Sequence, residues 1–198
     1  MVKNSEFIIA GVDEVGRGPL AGPVYAAAVI LPTHHHITGI TDSKKLSPKK
    51  RELLAEQIKN EALSWALGAA SVAEIDKFNI REATLLAMSR AIKKLSIKPD
   101  LVKIDGNSLP KLPGYNLEAI IKGDLTVEVI GAASIIAKVA RDTLMDHYAL
   151  RYPQYGLEQH KGYGTAKHLA ALRKYGPSPI HRRSFAPISE LVKDANLS

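Results

Sequence analysis

Four acidic residues stand where an apolar run gives way to turn-forming residues. Asp13 and Glu14 follow the run Phe7 to Val12, Asp105 follows Leu101 to Ile104, and Asp124 follows Glu118 to Ile121. Apolar runs this short, rich in β-branched residues, read as buried strands. Paired strands lie about 4.8 Å apart, so carboxylates at the ends of neighbours can converge. Carboxylates gathered in one place repel, and some of their pKa values rise. Divalent cations relieve that repulsion, and an all-oxygen set suits Mg²⁺ or Mn²⁺ rather than Zn²⁺. Two such ions about 4 Å apart can activate water and stabilise the leaving oxygen of a phosphodiester. A lone acid at a strand end is an ordinary turn residue. Asp13-Glu14 followed by Gly16-Arg17-Gly18 is more than that. The glycines let the backbone approach a ligand closely, and Arg17 brings a charge that matches phosphate.

Other residues have weaker claims. Lys44 and Lys45, just before a helix start, are candidate phosphate contacts or a solvated pair. Arg182 and Arg183 carry the same two readings. His34, His35 and His36 lack a partner motif and read as an exposed loop rather than a metal cluster. Asp142 rivals Asp124 for the fourth acid position, but it sits inside a long helical pattern and ranks below it. The glycines do not fit GxGxxG, and no GK[ST] opens a helix, so dinucleotide and P-loop sites are set aside.

The elements that must position these groups follow from periodicity and turn chemistry. Strands are predicted at Phe7–Val12, Val24–Leu31, Trp65–Ser71, Leu101–Ile104 and Glu118–Ile121, the first three forming an antiparallel run. Ser47-Pro48 caps a helix to about Glu61. Asn79 with Glu82 is capping-box-like and opens a helix to Leu95, with Leu85, Met88, Ile92 and Leu95 on one face. A long helix spans Gly131–Leu150, with Ile135, Val139 and Leu144 inward. A further helix spans Thr165–Tyr175, stopped by Gly176 and Pro177. Trp65 and the Leu85–Leu95 stripe are expected in the core. The class is therefore α/β, a mixed sheet flanked by helices over residues 1–150. Residues 151–198 form a helical C-terminal extension packed on the same domain, with a tail from Ile188 to Ser198 free for a partner.

Composition fits this reading. The 198 residues suffice for one domain, and 27 Lys+Arg against 20 Asp+Glu give a net charge of +7. That surplus favours a polyanionic partner. The chain has no Cys, which excludes disulfides and thiolate metal sites. No stretch approaches the ~20 apolar residues of a membrane span, and the N-terminal run is too short for a signal core. The default expectation is a monomer in the cytoplasm.

The segment Asp13-Glu14-Val15-Gly16-Arg17-Gly18-Pro19 resembles the opening signature of the type 2 ribonucleases H. Further motifs match in order: Asp42-Ser43-Lys44-Lys45-Leu46, Ile104-Asp105-Gly106, Lys122-Gly123-Asp124, Ala132-Ala133-Ser134-Ile135, Ala137-Lys138-Val139, Arg141-Asp142, His160-Lys161-Gly162-Tyr163 and Arg182-Arg183-Ser184-Phe185. The set covers nearly the whole chain and points to the bacterial branch, the ribonuclease HII family. The resemblance implies a ribonuclease-H-like fold and an endonuclease that hydrolyses the RNA strand of RNA·DNA hybrids. It implies cleavage 5′ to a single ribonucleotide embedded in DNA, with two Mn²⁺ or Mg²⁺ ions, leaving 5′-phosphate and 3′-hydroxyl ends. Asp13, Glu14, Asp105 and Asp124 would be the catalytic metal ligands. Gly16, Arg17, Gly18 and Tyr163 would read the ribonucleotide. The family's usual Pro after that tyrosine is Gly164 here, which predicts a looser backbone at Tyr163. Two rivals from other classes are a non-catalytic nucleic-acid-binding protein and a metal-dependent hydrolase of small phosphates. The first has no use for acids at several strand ends. The second has no use for basic residues spread along the chain.

Overall fold

The computed structural model describes residues 7–41 and 43–195. Asp42 of the second motif and residues 196–198 of the tail lie outside the described residues. Five strands, β1 (Ile9–Val15), β2 (Val24–Ile30), β3 (Ser64–Ala70), β4 (Leu101–Asp105) and β5 (Leu117–Ile120), form one sheet in the order β3-β2-β1-β4-β5. The pairs β1·β2 and β2·β3 are antiparallel, while β4 runs parallel to both β1 and β5. The mixed α/β sheet expected from the sequence is therefore present.

Helices cover both faces. They are α1 (Pro48–Glu61), α2 (Val72–Lys93), α3 (Gly123–Thr126), α4 (Glu128–Arg151), α5 (Leu157–His160), α6 (Ala166–Tyr175) and α7 (Ile188–Ala195). Strand β2 shows why the layers fit. Its alternate residues Ala26, Ala28 and Ile30 pack with α2 residues Ala83, Ala87 and Met88 on one face. Ala27 and Val29 meet Leu54 and Ile58 of α1 and Ile135 and Ile136 of α4 on the other. Side chains alternate across a strand, and small ones let both helical layers approach. Gly11 marks a close approach of α4: a Cβ there would lie 2.3 Å from the Val129 carbonyl carbon. Gly11→Ala would force α4 off the sheet, at about 1–3 kcal/mol by the usual cost of overpacking.

Several elements differ from the sequence reading. Strand β1 starts at Ile9 and continues through Asp13 and Glu14 to Val15, so this acid pair lies within the strand rather than after it. The helix expected from Asn79 begins earlier, at Val72, with a Ser71–Glu74 capping box. Asn79 interrupts it with a φ of 68°, and its Oδ1 accepts from the Arg81 and Glu82 amides at 2.9 and 3.2 Å. The cap read at Asn79 exists, but as the restart of a kinked helix. Trp65 is not core: it lies on edge strand β3, 37% exposed, beneath Lys59. Near the C-terminal end of α4 the fully buried side chain is Met145, one residue beyond Leu144, which is only partly buried.

The tail from Ile188 is not free at its start. Ile188 is buried, and Leu191 and Val192 pack against a third cluster of Leu20, Ala21, Met145, Leu157 and Leu172. That cluster ties the C-terminal segment to the loop after β1. Among the described residues no helix is long and apolar enough to cross a membrane.

Candidate active site

Register brings the acids together. The parallel pair Val12↔Ile104 makes Asp13 and Asp105 the next residues on adjacent strands, and Asp105 pairs with Ile120 of β5. The chain then turns into α3, whose second residue is Asp124. Asp105 Oδ1 accepts from the Gly123 amide at 2.7 Å and from the Asp124 amide at 3.4 Å. Asp13, Glu14, Asp105 and Asp124 line one cavity of about 160 Å³ with Ser43, Lys44, Ser134, Lys138 and Tyr163. Alternation along β1 sends Asp13 and Glu14 to different faces. Glu14 thus also borders a second cavity of about 390 Å³, lined by Arg17, Arg81, Asp105, Asn107 and Ser108 among others.

The electrostatics of the small cavity are set by burial and by the closeness of its carboxyls. Burial raises the Asp13 carboxyl well above its usual range, and Glu14 and Asp105 push the same way. Burial also raises Glu14, against the pull of Arg17, whose Nη1 lies 3.4 Å from Oε1. Lys138 reaches the cavity but pairs with Asp142 at 2.7 Å. Asp142 itself lines a different cavity and is paired again by Arg51 at 3.4 Å. Among the described residues, no three acidic or imidazole side chains stand close enough to make a ready metal cluster. The donor set and its charge nevertheless suit a hard divalent cation, because every candidate ligand is a carboxylate oxygen and the raised carboxyls favour a positive partner.

The substrate candidates separate. Lys44 lines the acid cavity, whereas Lys45 is exposed and does not. The turn that carries both is held by buried Arg51, which donates to the carbonyls of Ser43 and Leu46 at 2.8 and 2.9 Å. Ser134, quoted in a motif but given no role, faces the cavity and donates to Ser43 Oγ at 3.0 Å. Of the histidine triplet, His34 and His36 are exposed, while His35 is largely covered and 3.4 Å from Glu128.

Arg182 is a correction to the sequence reading. It is 0% exposed and touches no open surface that a phosphate could reach. Its Nε donates to Gly22 O at 2.9 Å, Nη1 to Arg17 O at 2.8 Å, and Nη2 to Gly16 O. Arg141, equally buried, donates to the carbonyls of Pro23, Ala21 and Lys161 at 3.1, 2.9 and 3.1 Å. Two guanidiniums thus hold the carbonyls of the loop 16–23. Gly16 has φ +93°, and a Cβ there would lie 2.2 Å from Arg141 Nε, so only glycine fits. Arg183 stays exposed, its amide pinned to Asp76 at 3.1 Å.

Tyr163 is exposed and faces the same loop: a Cβ on Gly18 would lie 3.6 Å from its Cε1. The looseness expected from Gly164 is not seen. Tyr163 N donates to His160 O at 2.9 Å, and Tyr163 O accepts from Thr165 N at 2.8 Å. Leu20 N donates to Gly162 O at 2.8 Å, tying the tyrosine segment to the glycine loop.

Known proteins resemble this chain along most of its length. The family model described as Ribonuclease HII matches residues 10–188. A ribonuclease HII of Bordetella avium is 59% identical over 91% of this chain and 89% of its own length. One from Neisseria meningitidis serogroup B is 55% identical over 93% of this chain and 95% of its own. The crystal structure of ribonuclease H2 from Pyrococcus horikoshii superposes with a TM-score of 0.81 at 27% identity, covering 96% of this chain and all of that one.

Proposed function

Because the chain belongs to the ribonuclease HII family, we propose that it hydrolyses the RNA strand of RNA·DNA hybrids and cuts on the 5′ side of a single ribonucleotide embedded in DNA. The observation that carries this reading is one small cavity whose walls are Asp13, Glu14, Asp105, Asp124 and Tyr163. Carboxylates for hydrolysis and a ring for substrate recognition therefore share one space, beside a glycine loop whose shape is fixed.

Asp13, Glu14, Asp105 and Asp124 would hold two divalent cations, Mn²⁺ or Mg²⁺. Bound there, such ions supply an activated water and charge stabilisation for the departing 3′ oxygen, leaving 5′-phosphate and 3′-hydroxyl ends. The remaining work falls to the chain. Gly16, Arg17 and Gly18 present backbone to the ribose, where the 2′-hydroxyl distinguishes RNA from DNA. The Gly16 and Arg17 carbonyls already accept from Arg182, which orients the loop before substrate arrives. The Tyr163 ring packs on the neighbouring deoxyribose and favours a junction. Lys44 at the cavity and Arg17 and Arg81 at the larger one offer phosphate contacts on both sides of the acids. Every proposed residue comes from one chain, so a monomer suffices.

The test uses end-labelled duplexes with Mg²⁺, one carrying a single ribonucleotide and one a tract of four. Cleavage 5′ to the lone ribonucleotide is expected, and Tyr163→Ala should lower it far more than it lowers affinity for plain DNA. Cleavage of the tract with none at the single ribonucleotide would refute the junction reading.

A further inference from the structure

Three buried histidines lie outside the acid cavity, and two of them reach Tyr163. His168 is 0% exposed and His181 1%. Their Nε2 atoms are 3.0 Å apart. His181 Nδ1 lies 3.0 Å from the Ser178 amide nitrogen and 2.8 Å from its Oγ. His168 Nδ1 lies 2.9 Å from the Tyr163 carbonyl oxygen. These contacts determine the protons. The Ser178 amide can only donate, so His181 Nδ1 is bare and its proton sits on Nε2. The Tyr163 carbonyl can only accept, so His168 carries its proton on Nδ1 and accepts at Nε2. One unbroken chain of donors then runs from the Ser178 amide through His181 and His168 to the backbone of Tyr163.

We propose that His168 and His181 are positioning residues that act through the Tyr163 carbonyl, fixing the ring of Tyr163 against the glycine loop and so setting the preference for a DNA–RNA junction. The proposal rests on the reading of Tyr163 given above. It also explains how Tyr163 keeps its place with Gly164 beside it: an exposed ring is held from behind by a buried network. The surroundings keep both imidazoles neutral, as a single-proton Nε2–H···Nε2 bond requires. The His160 ring stacks on His168 with centroids 4.5 Å apart, and the Tyr155 ring lies 4.7 Å from His181. Buried Arg182 is the next residue in the chain. Burial lowers the pKa of His168, and burial with the neighbouring His168 lowers that of His181 to about 4.

Two near-isosteric variants separate the two halves of the chain. In His168→Asn the amide nitrogen takes the place of Nδ1 and can still donate to Tyr163 O. In His168→Gln the amide takes the place of Nε2, meets His181 and leaves Tyr163 O without this donor. The readout is the ratio of initial rates on a single-ribonucleotide duplex and on an RNA·DNA hybrid, which does not depend on the fraction folded. Loss of one hydrogen bond predicts about a fivefold to tenfold fall in that ratio for the Gln variant, and a change within about twofold for Asn. In a Tyr163→Ala background the Gln substitution should lower it no further. A wild-type ratio in His168→Gln, or an equal fall in both backgrounds, overturns the relay while leaving the reading of Tyr163 intact. An unchanged ratio in Tyr163→Ala alone overturns the reading of Tyr163, and the relay with it. Independently of any variant, long-range ¹H–¹⁵N spectra of the wild-type rings should show His168 protonated at Nδ1 and His181 at Nε2. The opposite tautomers would overturn the proposal.

Discussion

Acid should destabilise this protein through His181 as pH falls below about 6.5. The ring is 1% exposed, and burial beside His168 holds its pKa at about 4, against an ordinary value of 6.5. A histidine with a depressed folded pKa takes up its proton more readily in the unfolded chain. Its contribution to stability is therefore complete above pH 6.5 and is lost as pH falls from there towards 4. Linkage gives a loss of about 1.4 kcal/mol at about pH 5.5 and about 2.5 kcal/mol at about pH 4.5. For a chain of this size the first figure corresponds to a fall in Tm of roughly 3–6 °C. The comparison protein is His181→Gln, which keeps an amide near Nε2 and does not titrate. Thermal or urea unfolding at about pH 7.5 and 5.5 should show wild type losing about 1.4 kcal/mol more than the variant. His168 titrates in both proteins, so the difference belongs to His181. Parallel stability curves for the two proteins would show that His181 is not a neutral buried group, and the relay built on it would fail as well.

Three other outcomes follow from the acid cavity and its rim. Asp105→Asn should lower cleavage by about 10²-fold or more while duplex binding survives, because it removes a charge at the centre of the carboxylate set without changing shape; near-normal turnover in saturating Mg²⁺ would remove Asp105 from the site. Mg²⁺ at about 100 times its dissociation constant should stabilise the EDTA-treated protein by about 2.7 kcal/mol and raise Tm by roughly 5–10 °C, with a smaller rise in Asp13→Asn; an unchanged melting curve would mean that the acids do not act together. Lys44→Ala and Arg81→Ala should each flatten the dependence of log K on log[salt] by about 0.9 if each contacts one phosphate, and a slope equal to wild type returns that residue to the solvated surface.

What was legible in the sequence, and what was not, divides along a physical line. The helix cap at Ser47, the helix that ends at Tyr175 and the β2 and β3 strands were legible because they depend on local periodicity and local hydrogen bonds. Strand β1 was read three residues short because a run of apolar residues ends at Val12, while backbone pairing continues to Val15↔Tyr25. Pairing does not depend on side-chain charge, and the cost appears instead as raised carboxyl pKa values at Asp13 and Glu14. Asn79 misled for the opposite reason: its local cap is real, but a second cap at Ser71 starts the helix about two turns earlier. Trp65 misled because residue type was taken for burial, whereas its strand lies at the sheet edge.

Arg141 and Arg182 were beyond sequence reasoning for a reason that bears on function. Arginine is almost never fully buried unless its donors are used, and the acceptors here are main-chain carbonyls 118 to 166 residues away for every bond to the loop. A loop that turns on positive-φ Gly16 and Gly22 cannot satisfy those carbonyls within a helix or sheet, and buried unpaired carbonyls are costly. Each guanidinium offers a rigid fork of donors, and together they satisfy five of the loop's carbonyls. The shape of the segment proposed to read the ribose is therefore set by α4 and by the C-terminal segment, not by its own residues. Tyr163 obeys the same logic, since its carbonyl is held by a histidine of α6 that is in turn held by His181. In this chain three of the four acids come from the sheet and Asp124 from the helix after it, but the parts that would recognise the substrate are fixed by buried side chains behind them.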